Sequence, residues 1–158
     1  MAGQDHRYRV DVEWVGNTGE GTRRYDGYGR DHLIRAEGNP DIPGSSDPNF
    51  RGDPARWNPE ELLLASISAC HKLWYLHLCA TNRVVVLSYL DRAEAVMRDE
   101  GMAGGRFTSA TLRPEIVIAE GSDPEKAKAL HHDAHEKCFV ANSVNFPIGV
   151  EAVVTVGA

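Results

Sequence analysis

A chain of 158 residues that is 42% hydrophobic and 25% charged has the make-up of a folded globular protein, long enough for a real core and neither disordered nor fibrous. Its net charge of −6 argues against nucleic acid as the main partner, because neutralising phosphates needs a basic face. The opening residues MAGQDHRYRV lack the apolar stretch of a secretory signal, which predicts a cytoplasmic protein.

Residues 7–15 alternate, with Tyr8, Val10, Val12 and Trp14 on one face and Arg7, Arg9, Asp11 and Glu13 on the other, the pattern of a half-buried strand. After a Gly-rich turn at 16–21, residues 22–28 and 31–37 read as two further strands. The stretch 38–57 is rich in Pro, Gly, Asp and Ser and reads as a long loop, a feature that in small domains usually carries function. A long helix is expected next. Asn58 is a good N-cap, Pro59 suits the first helical position, and Glu61 stands at capping-box spacing. Leu62 to Ala80 is apolar enough to suggest a membrane span, yet it contains His71, Lys72 and His77. A core helix buried nearly all round, with no membrane involved, fits better.

Residues 84–86 and 90–98 are strand material, and a turn at Gly101–Gly105 leads into a strand at 106–119. Ser122 is placed to cap a second helix whose apolar stripe is Ala127, Leu130, Ala134, Cys138 and Ala141. Residues 148–156 alternate into a last strand. The order is βββ-α-ββ-α-β, a single α+β domain over residues 1–158.

The chemistry rests on three cysteines, Cys70, Cys79 and Cys138. An odd number at wide spacing in a reducing compartment is no disulfide framework. Cys70 lies mid-helix among Ala65, Ser66, Ser68 and Ala69, neighbours small enough to leave space around a sulfur. Cys79 falls on the opposite face and reads as a small core residue. Cys138 lies on the stripe of the second helix, so the two sulfurs can approach if the helices pack. Helix pattern alone leaves two core cysteines as the commoner outcome.

The residues Asn58-Pro59-Glu60-Glu61-Leu62-Leu63, followed by small residues and Ala69-Cys70, resemble the signature of the OsmC/Ohr family (osmotically inducible protein C and organic hydroperoxide resistance proteins). Glu136-Lys137-Cys138 with Val140 and Val144 is similar to the family's second cysteine segment. The resemblance covers nearly the whole chain, and the βββ-α-ββ-α-β order agrees with it. It implies a thiol-dependent peroxidase that reduces organic hydroperoxides, with Cys70 attacking and Cys138 resolving. It implies no resident cofactor or metal, and an external dithiol reductant such as a lipoyl-bearing protein. It further implies a cation at the thiolate, an arginine held by the glutamate that Glu60 matches. Arg35, in Arg35-Ala36-Glu37-Gly38, is the expected arginine and Arg56 the substitute, because the family's turn arginine is missing near Thr18. Glu60 and Cys70 are separated by about 15 Å of helix, which favours a site shared between chains. The resemblance accordingly implies an intertwined homodimer.

Two other readings stay open. His131, His135 and Cys138 share a helix face, and Cys70-His71 would complete a metal site. A non-catalytic, ligand-binding member of the family is the other: Phe139 follows the second cysteine where proline is common, and Trp57, Trp74, Tyr75 and Phe146 would line its apolar pocket.

Overall fold

The computed structural model describes residues 3–157; Met1, Ala2 and Ala158 lie outside them. The chain divides into two units, one ending at Leu62 and the other beginning at Leu63. In the first, strands β1 (Asp11–Trp14), β2 (His32–Arg35) and β3 (Ile42–Gly44) form an antiparallel sheet in that order. Val12 stands opposite Ile34, and Ile34 opposite Ile42.

Three expectations change in this unit. The strand expected over 7–15 shortens to β1 and is not half-buried: Tyr8 and Val10 precede it, and they and Val12 are exposed, Val12 to 64%. The alternation is present, but a sheet buries a face only when another layer covers it. Residues 22–28 form turns instead of a strand. The Gly27 amide bonds the Arg24 carbonyl at 3.1 Å, and Thr18 donates to the Gly27 carbonyl at 2.6 Å. In the expected turn before them Asn17 accepts the amides of Gly19 and Gly21 at 2.9 Å, and both glycines take the left-handed φ that turns require (118° and 60°). The third strand lies inside the supposed loop 38–57, which also holds a short 3-10 turn, Pro48–Phe50, capped by Asp47.

Helix α1 (Pro59–Thr81) starts where the sequence places it. Asn58 Oδ1 accepts the Glu61 amide at 2.8 Å, and Glu61 returns a bond to the Asn58 amide at 3.3 Å. This reciprocal cap contributes about 1 kcal/mol. The helix is not buried all round. One stripe, Ile67, His71, Tyr75 and Cys79, is sealed, while Leu73 is 62% exposed. By length and composition α1 also passes for a membrane span.

The second unit holds strands β4 (Val86–Asp91), β5 (Glu94–Asp99), β6 (Gly105–Leu112), β7 (Pro114–Ala119), β8 (Ile148–Val150) and β9 (Val153–Gly157), with helix α2 (Pro124–Lys137). They form two three-stranded sheets, β4-β7-β9 and β5-β6-β8. Each expected long strand is thus two strands meeting at a corner, with breaks at Arg92-Ala93, Arg113 and Glu151-Ala152. Pro114 offers no amide to continue a ladder. The Arg113 amide turns to Asp91 Oδ1 at 2.7 Å, and its guanidinium holds Glu94 (2.6 Å) and Glu151 (3.0 Å). The class is α+β as expected, and the corner supplies the extra strands.

Asp123, not Ser122, caps α2, accepting the Glu125 and Lys126 amides; Ser122 Oγ instead takes the Val85 amide. The core joins Tyr75 and Cys79 of α1 to Ile116 and Ile118 of β7 and to Ala127, Leu130 and Ala134 of α2.

Candidate active site

Two of the three sulfurs come together. Cys70 is half-exposed in the middle of α1, and Cys138 is fully buried at the residue that ends α2. Both are free thiols. Burial pushes the Cys138 thiol up to about 11, and the neighbouring Cys70 thiol adds to the shift. The Ala141 amide, 3.4 Å from the Cys138 sulfur, works in the other direction. At neutral pH Cys138 therefore keeps its proton and stands beside Cys70 as a thiol. Cys79 is buried in the core, where burial raises its thiol too.

His71, next in sequence to Cys70, belongs to a polar stack between the two helices. His71 Nε2 and His131 Nδ1 share a hydrogen bond of 3.0 Å, and the Tyr75 ring stacks on His131 with centroids 3.9 Å apart. Tyr75 donates its hydroxyl to the Ala127 carbonyl at 3.2 Å. The sequence presents His71 only as a metal ligand; its spacing from Tyr75, one turn along α1, is the signal that points to the stack. Among the described residues no three His, Cys, Asp or Glu side chains are gathered in a metal-holding arrangement. Further along α1, Ser68 donates to Asp91 Oδ2 at 2.5 Å, which ties the helix to the sheet corner two residues before Cys70.

Burial holds His71 down to about 4 and His131 to about 3; His135 adds to the depression of the first, Asp91 opposes it, and His71 adds to that of the second. Unfolded histidine titrates near pH 6.5. Below that pH the unfolded chain binds protons that the fold refuses, so stability is full above about pH 6.5 and falls as pH drops toward the folded values. By pH 5 the expected loss is about 2 kcal/mol per histidine. Thermal unfolding at pH 7.5 and pH 5.0 measures it, and His131→Leu should flatten the pH dependence.

The other expected residues belong to the first unit. Glu60 Oε2 is buried without a hydrogen-bond partner among the described residues. Arg35 is engaged by Glu13 (2.5 Å) and Asp41 (3.0 Å), neither of them Glu60. Arg56 meets Asp31 and Asp53 through Nε, at 3.3 and 3.7 Å, and its Nη1 is buried and unpaired among the described residues. Of the aromatic residues, Trp74 meets Phe139 edge to face at 5.6 Å, next in sequence to Cys138. Leu73, Trp74 and His77 line a shallow hollow of about 210 Å³ with an apolar surface. Phe146 packs on Phe107 instead, Trp57 is half exposed, and Tyr75 is core. Phe139, read in sequence as a departure from the family pattern, is the aromatic partner that spacing does not anticipate.

A family model described as OsmC-like protein matches residues 52–153. An OsmC-like protein of unknown function from Vibrio cholerae is 30% identical, with a TM-score of 0.85 over 94% of this chain and all of that one. Two further solved structures share the fold. The organic hydroperoxide resistance protein OsmC of Legionella pneumophila, called a predicted redox protein, is 18% identical (TM-score 0.68, covering 96% and 98% of the two chains). The organic hydroperoxide resistance protein OhrB of Bacillus subtilis is 19% identical (TM-score 0.63, 95% and 98%). No curated protein sequence matches the chain.

Proposed function

The chain belongs to the OsmC-like protein family, and from that premise we propose that it is a cytoplasmic, thiol-dependent peroxidase acting on organic hydroperoxides. The observation that carries this reading is a half-exposed free thiol, Cys70, near enough to a buried free thiol, Cys138, to raise it. Cys70 as a thiolate attacks the peroxide O–O bond and takes one oxygen. The other leaves as alkoxide and is protonated to the alcohol. The Cys138 thiol then displaces water from the sulfenic acid, forming the Cys70–Cys138 disulfide, and an external dithiol reduces it. We assign Glu60 and an arginine to the stabilisation of the thiolate. Each candidate arginine meets two carboxylates, and Arg56 is favoured over Arg35 because its Nη1 is buried and unpaired among the described residues.

The apolar hollow at Leu73 and Trp74 supports this substrate class. Each CH₂ moved from water onto apolar surface contributes about 0.8 kcal/mol, and about 1.4 kcal/mol is tenfold in rate. A tail burying three or four methylenes should raise kcat/KM over hydrogen peroxide by on the order of a hundredfold, if the gain is expressed in the transition state. Turnover of cumene hydroperoxide and of hydrogen peroxide, with dihydrolipoamide as reductant, tests this reading. Saturable binding of the hydroperoxide without turnover overturns it in favour of a non-catalytic binding protein.

We also propose that the protein works as a homodimer. Val12 on β1 and Leu73 on α1 are large apolar side chains left exposed in the single chain, and association with a second copy would cover such side chains. Sedimentation at micromolar concentration should give about twice the 17.4 kDa chain mass. A stable, active monomer would contradict the assembly.

A further inference from the structure

The two helices that carry the thiols are joined by two polar rungs. Tyr75 bonds the Ala127 carbonyl, and His71 bonds His131. On α1 the rungs are one turn apart (71 and 75), and on α2 they are one turn apart in the opposite sense (127 and 131), so together they fix the antiparallel register of the pair. Cys70 precedes the first histidine in sequence, and Cys138 follows the second by two turns.

Stability does not account for the histidine rung. His71 and His131 are 1% and 5% exposed, and His71 Nδ1 and His131 Nε2 have no partner among the described residues. Buried polar atoms left unpaired are unfavourable, and leucines would fill the same space without them. A directional hydrogen bond supplies what leucines cannot, a fixed register. Apolar surfaces tolerate sliding, and a slip of one turn moves a helix by about 5.4 Å. That is enough to separate a pair of sulfurs that must approach to about 2 Å to bond.

We propose that His71 and His131 are positioning residues for the resolving step: their hydrogen bond holds α2 in the register that keeps Cys138 against Cys70. Closure of the disulfide depends on them, and attack of Cys70 on the peroxide does not. This rests on the Cys70–Cys138 pairing proposed above, but disulfide closure is measurable without peroxide turnover. Both imidazoles stay neutral at physiological pH, because burial holds them there, so one N–H donates to one bare nitrogen.

The test uses three full-length variants. His131→Asn keeps a polar atom near the place of Nδ1. His131→Leu removes the bond. His71→Leu/His131→Leu removes it and leaves no unpaired nitrogen, so it folds even if the single leucine variant does not. Two rates are read in a single turnover: formation of the dimedone-trapped sulfenic acid, and loss of free thiols as the disulfide closes. A third reading is equilibrium of the disulfide with dithiothreitol. In the double variant, closure should slow at least tenfold and the disulfide should lose at least tenfold in equilibrium constant, about 30 mV. Sulfenic acid formation should stay within twofold of wild type, and His131→Asn should close within threefold of wild type. A folded double variant that closes at the wild-type rate with an unchanged potential overturns the proposal. So does equal slowing of both steps, which would mark a structural role alone. If no variant reacts with peroxide but the dithiothreitol equilibrium shifts as stated, the peroxidase reading fails and the positioning role stands. If the wild-type chain forms no Cys70–Cys138 disulfide in that buffer, both fail.

Discussion

Replacing Cys70 with serine is expected to abolish hydroperoxide consumption, a loss on the order of a thousandfold or more, because a hydroxyl does not ionise at neutral pH and is a poor nucleophile toward an O–O bond. Cys79→Ser should leave the rate within about twofold, since that sulfur is sealed in the core and takes no role in the pair. It should instead lower stability by about 1–2 kcal/mol, as a buried hydroxyl replaces a small apolar group. The measurement is peroxide consumption under dithiol supply, with thermal unfolding as the control for folding. Equal loss of activity in the two variants would remove Cys70 from its role.

Cys138→Ser should behave differently from both. The first peroxide is still reduced, because attack belongs to Cys70. The sulfenic acid then lacks an internal thiol. A second peroxide converts it to the sulfinic acid, which a dithiol does not reverse. Mass spectrometry after excess cumene hydroperoxide should show two added oxygens on the Cys70 peptide of the variant, and an intrachain Cys70–Cys138 disulfide in the wild type. Sustained turnover should fall by on the order of tenfold to a hundredfold, reflecting the effective concentration of a thiol already in place. Disulfides formed only between chains would contradict the resolving role of Cys138.

Much of this site is legible in the sequence because its components are local. The cap at Asn58 and Glu61 is a short-range code, and it sets the start of α1 within a residue. The expected stripe identifies Ala127, Leu130, Ala134 and Cys138 as buried, and they are, whereas Ala141 lies past the end of α2 and is only half-buried. The corner is hidden because alternation runs straight through Arg113 and Glu151; only pairing with different neighbours shows that 106–119 serves two sheets. The strand expected at 22–28 gives way to local turns, in which the Gly27 amide bonds Arg24 and the Gly27 carbonyl accepts from Thr18. The His71–His131 bond joins residues on separate helices, and periodicity along either helix carries no information about which partner lies across.

The bent sheets also set a timetable for folding. Their parallel pairings join residues far apart in the chain, Ala110 with Ile148 and Ile116 with Val154. Neither pairing is rewarded until α2 and the segment after it have folded back, so loop closure is unfavourable before any bond offsets it. Until β8 and β9 dock, β6 and β7 each present an open edge suited to pairing with another chain. Refolding should accordingly be slow for a chain of this size and sensitive to protein concentration, with aggregation at high concentration arising from those two edges more than from the helices.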